Sequence, residues 1–395
     1  MKTNYLFLSI ALVAILFASC EADDTSDIII NSTTNNNGGG SEETSNLIEI
    51  GGTKTEDFTL EIDKEYALTE ALIMMDGTTL TIPLGTVIKA SAGADVYVAI
   101  SQGAKIIAEG TSSKPIVFTS NVATPNAGDW GGLIILGKAP VNSVAGGEST
   151  STSEIGGLPY GGSHIEDNSG IIKYVRVEYS GGAADASSEN NGFSFYGVGN
   201  GTTIEYIQAF EGKDDGIEFF GGTVNASFIS VIGAQDDSVD WTEGFSGTLS
   251  NIYIEHGVEH DKGIEADGFN TDIGNNANPQ FFSKPTINNV VILGRGSASG
   301  NEAIRLRAGT QGIFNNILII GFEEGFDLDG DLGDSPTGQG VVDGNLQVND
   351  VSFNDVLLNM KNDTEVIFTE ENFITGDGNG TGTDYAVWKN GWTRN

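Results

Sequence analysis

Cysteine occurs once in 395 residues, histidine three times and proline eight times, and 18 Lys plus Arg stand against 55 Asp plus Glu. Each scarcity excludes something. A formal net charge of −37 leaves no basic stripe to neutralise phosphates, so nucleic acid is excluded as a partner, and anionic lipid on the same ground. A single Cys rules out an internal disulfide. No phosphate loop, serine nucleophile motif or zinc protease motif occurs, and redox chemistry lacks ligands. The apolar run from Tyr5 to Phe17 is too short for a permanent membrane helix. What remains is 55 Gly, about double ordinary usage, with 20 Phe, 10 Tyr and many Val and Ile. A hydrophobic fraction of 38% and a mean hydropathy of −0.10 are those of a chain that buries a core. Glycine-punctuated β-structure is the expectation.

The lone Cys is placed informatively. Lys2, the apolar run and the small residues Ala18 and Ser19 precede Cys20, the pattern of a secretory signal peptide over residues 1–19. Leu16-Phe17-Ala18-Ser19-Cys20 resembles the lipobox of bacterial lipoproteins, with Phe17 in place of the usual Leu or Val. The resemblance implies lipid attachment, palmitate included, at Cys20. Glu21, Asp23 and Asp24 look like the acidic signal that sends Bacteroidetes lipoproteins to the outer face of the outer membrane. Residues 20–47, with Asn31 to Asn37 followed by Gly38-Gly39-Gly40-Ser41, are too polar to offset their ordering entropy and read as a flexible tether.

From residue 48 the chain repeats itself. Strands with apolar residues at alternating positions, such as Ile204 to Phe210, Val224 to Val231 and Ile287 to Ile292, are each followed by a shorter one. The shorter strands begin at Gly192, Gly216, Ser238 and Gly263, spacings of 24, 22 and 25 residues. Those are lengths of single turns of a parallel β-solenoid. A propeller blade needs 40 or more residues. Gly and Asn are expected at positive-φ corners. The segments 181–191 and 269–283 read as loops that lengthen a turn, where binding surfaces usually sit.

Gly77 to Lys89, Gly103 to Thr111, Gly128 to Ile135, Asp214 to Asn225, Gly263 to Asp267 and the closing Trp388-Lys389-Asn390-Gly391-Trp392-Thr393 resemble a family of Bacteroidetes surface lipoproteins. The resemblance implies an all-β, right-handed parallel β-helix over residues 48–376, and dividing the folded length by the repeat gives about 10 to 12 turns. A cap segment at 377–395 completes the expected domain plan. The family has no agreed reaction, and its members often accompany TonB-dependent receptors.

The candidate chemistry is acidic. Asp214, Asp215, Glu218, Asp236, Asp237, Asp240, Asp261, Glu265, Asp267, Asp327, Asp329 and Asp331 recur with the repeat, so stacked turns place many of them along one edge. Of these, Asp214, Asp215, Asp236, Asp237, Asp240, Asp261, Glu265 and Asp267 are the candidate metal ligands, with Ca²⁺ the hard cation expected there. The competing reading is that Asp caps turns through side-chain to backbone hydrogen bonds. Trp241, Arg305 and Arg307 are candidate ligand-binding residues, Trp241 within an aromatic set that reads either as core or as a sugar platform.

A non-catalytic surface protein that captures ligand for a transporter is the function read here. The alternatives are a carbohydrate-active hydrolase or lyase using Asp214 and Asp215, and an adhesin. Lys213-Asp214-Asp215-Gly216 looks somewhat like the aspartate pair of β-helix polygalacturonases, but Asn270-Thr271-Asp272 follows it in reversed order and the His-containing motif is missing. His256 and His260 have a spacing that suits a metal only on a helix, and Gly257 argues against one. His164 reads as solvent-facing.

Overall fold

The computed structural model describes residues 47–144, 147–184, 188–271, 279–330 and 337–395. The signal peptide 1–19, Cys20 with the tether up to residue 46, Asp272 and Asp331 lie outside the described residues.

Each sequence repeat forms one coil of short strands that pair in parallel with their counterparts in the next coil, while Thr150–Thr152 and Pro159–Gly161 form a separate antiparallel pair. Three ladders result. One begins at Phe58–Thr59 and passes through Thr79–Ile82 and Lys105–Glu109 to the opening residues of Gly170–Glu178, Thr203–Phe210 and their successors. A second runs from the start of Leu47–Lys54 through Val87–Ala90 and Ile116–Ser120 into the closing residues of those same long strands. The third contains Leu133–Leu136, Phe193–Tyr196, Ile217–Phe220, Val239–Thr242, Ile264–Asp267 and Glu302–Arg307. Eleven coils follow one another between Leu47 and Thr375, so the chain is a parallel β-helix of the expected size, with the right-handed crossover that parallel strands adopt.

Alternation along each strand decides what lies inside. In the third ladder Ile217, Phe219, Val239, Trp241, Ile264, Ala266, Ile304 and Leu306 are fully buried, while Glu218, Asp240 and Arg305 between them keep some exposure. Each buried Ile, Leu, Val or Phe contributes about 1.5–3 kcal/mol, and one continuous column runs from Ile50 to Phe373. The residues 363–376 close its C-terminal end, with Phe373 inserted and Phe368 and Ile374 against it.

The corner between the first two ladders is a single residue in the left-handed region: Tyr174, Tyr206, Phe228, Asn251, Asn289, Asn316 and Asp350, with φ between 51° and 59°. Asn and Asp tolerate this conformation, as expected for the corners; Tyr and Phe do not. The aromatic corners are held by stacking, with ring centroids 4.3 Å apart for Tyr174 and Tyr206 and 4.2 Å for Tyr206 and Phe228. The Asn corners form an amide ladder instead. Asn316 Nδ2 donates to Asn289 Oδ1 at 2.8 Å, and Asn289 Nδ2 to Asn251 Oδ1 at 3.3 Å.

Residues 377–395, expected as a cap, run back along this corner row rather than across an end. Asp377 N–H donates to Asp350 Oδ1, and Thr381 N–H to Asn316 Oδ1. Tyr385 stacks on Tyr253 at 3.7 Å, Trp388 meets Phe228 edge-on at 5.7 Å, and Trp392 meets Tyr174 and Tyr206. Arg394 pairs with Glu178 at 2.8 Å. The exposed corner rings explain the geometry: left bare, they would present an apolar stripe to water. Trp392 is fully buried in this strap, so Trp392→Ala is expected to destabilise the protein by roughly 3–5 kcal/mol, read as a lower urea midpoint; an unchanged midpoint would show that the strap is not part of the folded core.

Candidate functional site

In-register stacking sets the outward residues of the third ladder in one row: Ser194, Glu218, Asp240, Glu265, Arg305 and Asp327 face one another coil by coil. A second row lies in the turn before it, where Asp214-Asp215 stacks on Asp236-Asp237 and then on Asp261-Lys262. Asp215 Oδ1 accepts from Asp237 N–H at 2.9 Å, and Asp237 Oδ1 from Lys262 N–H at 2.7 Å. One oxygen of each thus binds a main-chain N–H of the next coil rather than one of its own turn.

The row divides into two halves of opposite electrostatic character. Toward the C-terminal coils the carboxylates are matched by cations. Arg305 Nε donates to Asp329 Oδ2 at 2.8 Å, Arg307 Nε to Asp267 Oδ1 at 2.6 Å, and Arg307 also pairs with Glu265. Lys262 pairs with Asp261 and Glu265. Burial opposes the charge on Arg307, but Asp267 and Glu265 outweigh it and raise its pKa above the ordinary guanidinium value.

Toward the N-terminal coils the compensation runs out. One carboxylate oxygen from each of Asp215, Glu218 and Asp240 lies within 4.8 Å of the others, as does one from each of Asp214, Asp215 and Asp236; a further group, Asp236, Asp237 and Asp261, marks the boundary, since Lys262 pairs with its Asp261. Asp240 Oδ1 is buried with no hydrogen-bond partner. Glu218 accepts from Asn191 Nδ2 at 2.6 Å. Burial, followed by the charges of Glu189 and Asp236, pushes Asp214 up to about 8. Burial and neighbouring carboxylates likewise raise Asp215, Glu218, Asp237 and Asp240 well above the usual range.

The loop that follows Leu136, an insertion before the strand at Gly170, covers the edge of this face. Its Val141, Ile155 and Tyr160 pack with Tyr97, Leu136, Tyr196 and Phe220 into a second, smaller core. The Tyr160 hydroxyl donates to the fully buried Glu243 at 2.6 Å, and Asn270 Nδ2 donates to the same carboxylate at 3.2 Å. The insertion brings the charge of Glu154 against Asp214 and Glu218. No periodicity marks Glu154 or Glu189, since both lie in loops; Glu218 was visible as part of the repeat.

Trp241 is not a ligand platform. Strand alternation turns it inward between Val239 and the core, fully buried, with Nε1–H donating to Thr310 Oγ1 at 3.2 Å. Tyr160, Tyr196, Phe219, Phe220 and Phe245 are buried as well. Arg305 and Arg307 do reach the acidic row, but as partners of its carboxylates. Asp327, with Asp329 and Asp363, forms a separate acidic group beside Lys361. His164 is exposed.

A family model described as a pectate-lyase like beta helix domain matches residues 52–393, and the chain belongs to that family. No curated protein matches it.

The raised carboxylates have a thermodynamic consequence. Where a folded-state pKa exceeds the unfolded value near 4, the folded protein holds more protons, so stability falls as pH rises through the interval between the two. With Asp214 near 8, the melting temperature in chelator is expected to drop between pH 5 and pH 8. Asp240→Asn is expected to reduce that drop; a melting temperature flat across the interval would contradict the assignment.

Proposed function

We propose that the chain is a non-catalytic, cation-dependent binding protein whose acidic row holds Ca²⁺ and, through it, an acidic polysaccharide. The observation that carries this reading is the uncompensated group Asp215, Glu218 and Asp240, with Asp240 Oδ1 buried and unpartnered beside its neighbours. Ca²⁺ takes six to eight oxygen ligands at about 2.3–2.6 Å. Carboxylates that converge within 4.8 Å suit such an ion, which would relieve their mutual repulsion and leave positions for ligand carboxylates. Asp214, Asp236, Asp237 and Asp261 extend the same chemistry along the row, and Glu265 and Asp267, already paired with arginines, form its boundary.

Two observations narrow the enzymatic alternative. A lyase base must lose its proton, and Arg305 and Arg307 are held charged by Asp329, Asp267 and Glu265. Oxygens of Asp214, Asp215 and Asp236 lie within 4.8 Å of one another, too close for an inverting hydrolase, whose carboxyl groups stand roughly 6.5–9.5 Å apart, so a hydrolytic alternative would be a retaining one at about 5–5.5 Å. We place the protein, in keeping with the lipobox-like sequence before Cys20 and the acidic residues after it, on the outer face of an outer membrane. Its role there is to present ligand to a TonB-dependent transporter.

Calcium titrated calorimetrically is expected to bind the wild type, to weaken about tenfold or more in Asp240→Asn, and to raise the melting temperature. Retention on an acidic polysaccharide column should require calcium, with no new reducing ends or unsaturated products in the eluate. Products that form with wild type and vanish with Asp214→Ala would replace this reading with the enzymatic one. Cys20→Ala is expected to abolish palmitate labelling and release the protein from the membrane fraction; continued labelling would refute lipid attachment at that residue.

A further inference from the structure

The strand Gly312–Leu328 turns Phe326 and Leu328 fully into the core, so by alternation Asp327 and, just past the strand, Asp329 lie on the opposite face. They are nonetheless only 4% and 7% exposed, because the following coil closes over them. Lys361 stands opposite Asp327 in register, and Asp363 N–H donates to the Leu328 carbonyl at 2.9 Å. Gly330 permits the approach, since a Cβ there would stand 2.7 Å from Thr364 Cα. Two consecutive coils thus bring together Asp327, Asp329 and Asp363, with one carboxylate oxygen from each within 4.8 Å of the others.

Two observations set this group apart from acids merely matched by cations. Asp327 Oδ1 is buried with no hydrogen-bond partner, a costly state for a carboxylate oxygen. The cations beside the group also fall short of it. Arg305 donates Nε and Nη2 to the same oxygen of Asp329, Oδ2, so Oδ1 remains outside that pair. Lys361 Nζ is 3.1 Å from Asp363 Oδ2, but 3.6 Å from Glu324 Oε1 and 3.8 Å from Asp327 Oδ1. One flexible ammonium is stretched over three carboxylates and reaches hydrogen-bond distance of one.

We propose that Asp327, Asp329 and Asp363 form a calcium site that ties the coil ending at Leu328 to the coil ending at Asn362. The donor set is all oxygen, which suits Ca²⁺ rather than a transition metal. Oxygens bound at 2.3–2.6 Å to one ion stand up to about 5 Å apart, so the observed convergence needs little movement. Asp327 and Asp329 supply the dry side, and the exposed Asp363 the side on which water fills the remaining positions. Lys361, half-buried, is the group the ion displaces. The site stands independently of the acidic row, from which Arg305 separates it by pairing with both Glu265 and Asp329.

Hydrogen exchange followed by mass spectrometry on the full chain, with and without calcium, tests this. Calcium should slow exchange in peptides covering 326–330 and 360–366. Asp363→Asn, at the exposed ligand, should abolish that slowing while the melting curve stays cooperative and the response around 214–240 is unchanged. Lys361→Met removes a like charge from the ion's position and should lower the calcium midpoint of the local response about tenfold or more; a lysine that serves only as an ion-pair partner predicts no such gain. Exchange at 360–366 that ignores millimolar calcium in the wild type, slowing that survives Asp363→Asn, or a midpoint that Lys361→Met leaves unchanged or raises would each overturn the proposal. The peptides around 214–240 report separately on the acidic row, so the failure of either site is read without the other.

Discussion

The in-register pairing of parallel strands is the constraint on which everything else rests. Because each coil lies about 4.8 Å above the last, a residue type repeated at one position becomes a continuous row rather than a set of scattered side chains. The row can be apolar and inside, amide or aromatic at a corner, or ionic on a face. The same geometry that stacks Phe193, Ile217, Val239 and Ile264 favourably also stacks Glu218, Asp240 and Glu265, whose charges repel. Favourable and unfavourable contacts are therefore produced by one rule, and the unfavourable ones persist because eleven coils of core outweigh them.

That rule also made much of the fold legible in the sequence. Period-2 alternation and the repeat of 22 to 25 residues were enough to assign strands, coils and the row of carboxylates, since all three are properties of spacing. Spacing is silent about what lies opposite a row. The insertion that covers Tyr196 and Phe220, and brings Glu154 to Asp214, contributes by tertiary packing alone. For the same reason Trp241 was ambiguous: an aromatic next to Asp240 reads as a platform or as core until the strand's facing is known. The closing Trp388 and Trp392 were recognisable as a motif, but their contacts with Phe228, Tyr206 and Tyr174 join residues more than 150 positions apart.

The distribution of cations gives the acidic face a direction. Eighteen basic residues cannot neutralise 55 acidic ones, so where they are spent is informative. Lys262, Arg305 and Arg307 are committed to Glu265, Asp267 and Asp329, which fixes the geometry of the later coils. Among the described residues no comparable ion pair meets Asp215, Glu218 and Asp240, and their charge is concentrated beside the Tyr160–Glu243 anchor. A rigid, dry support next to an uncompensated cluster is an arrangement that keeps the cluster open to something from outside.

The C-terminal strap has a consequence for how the molecule comes into being. In a solenoid each coil touches only its neighbours, so coils can form in sequence as the chain emerges. Here the last residues, Trp392 and Arg394, settle on Tyr174, Glu178 and Gln208, laid down some 200 positions earlier. Until residues 385–394 have emerged, the aromatic corner of the early coils stays bare. The strap thus turns a structure of local contacts into one with a final, long-range closing step, and a chain truncated by even a few residues would carry the mark of its incompleteness on its surface.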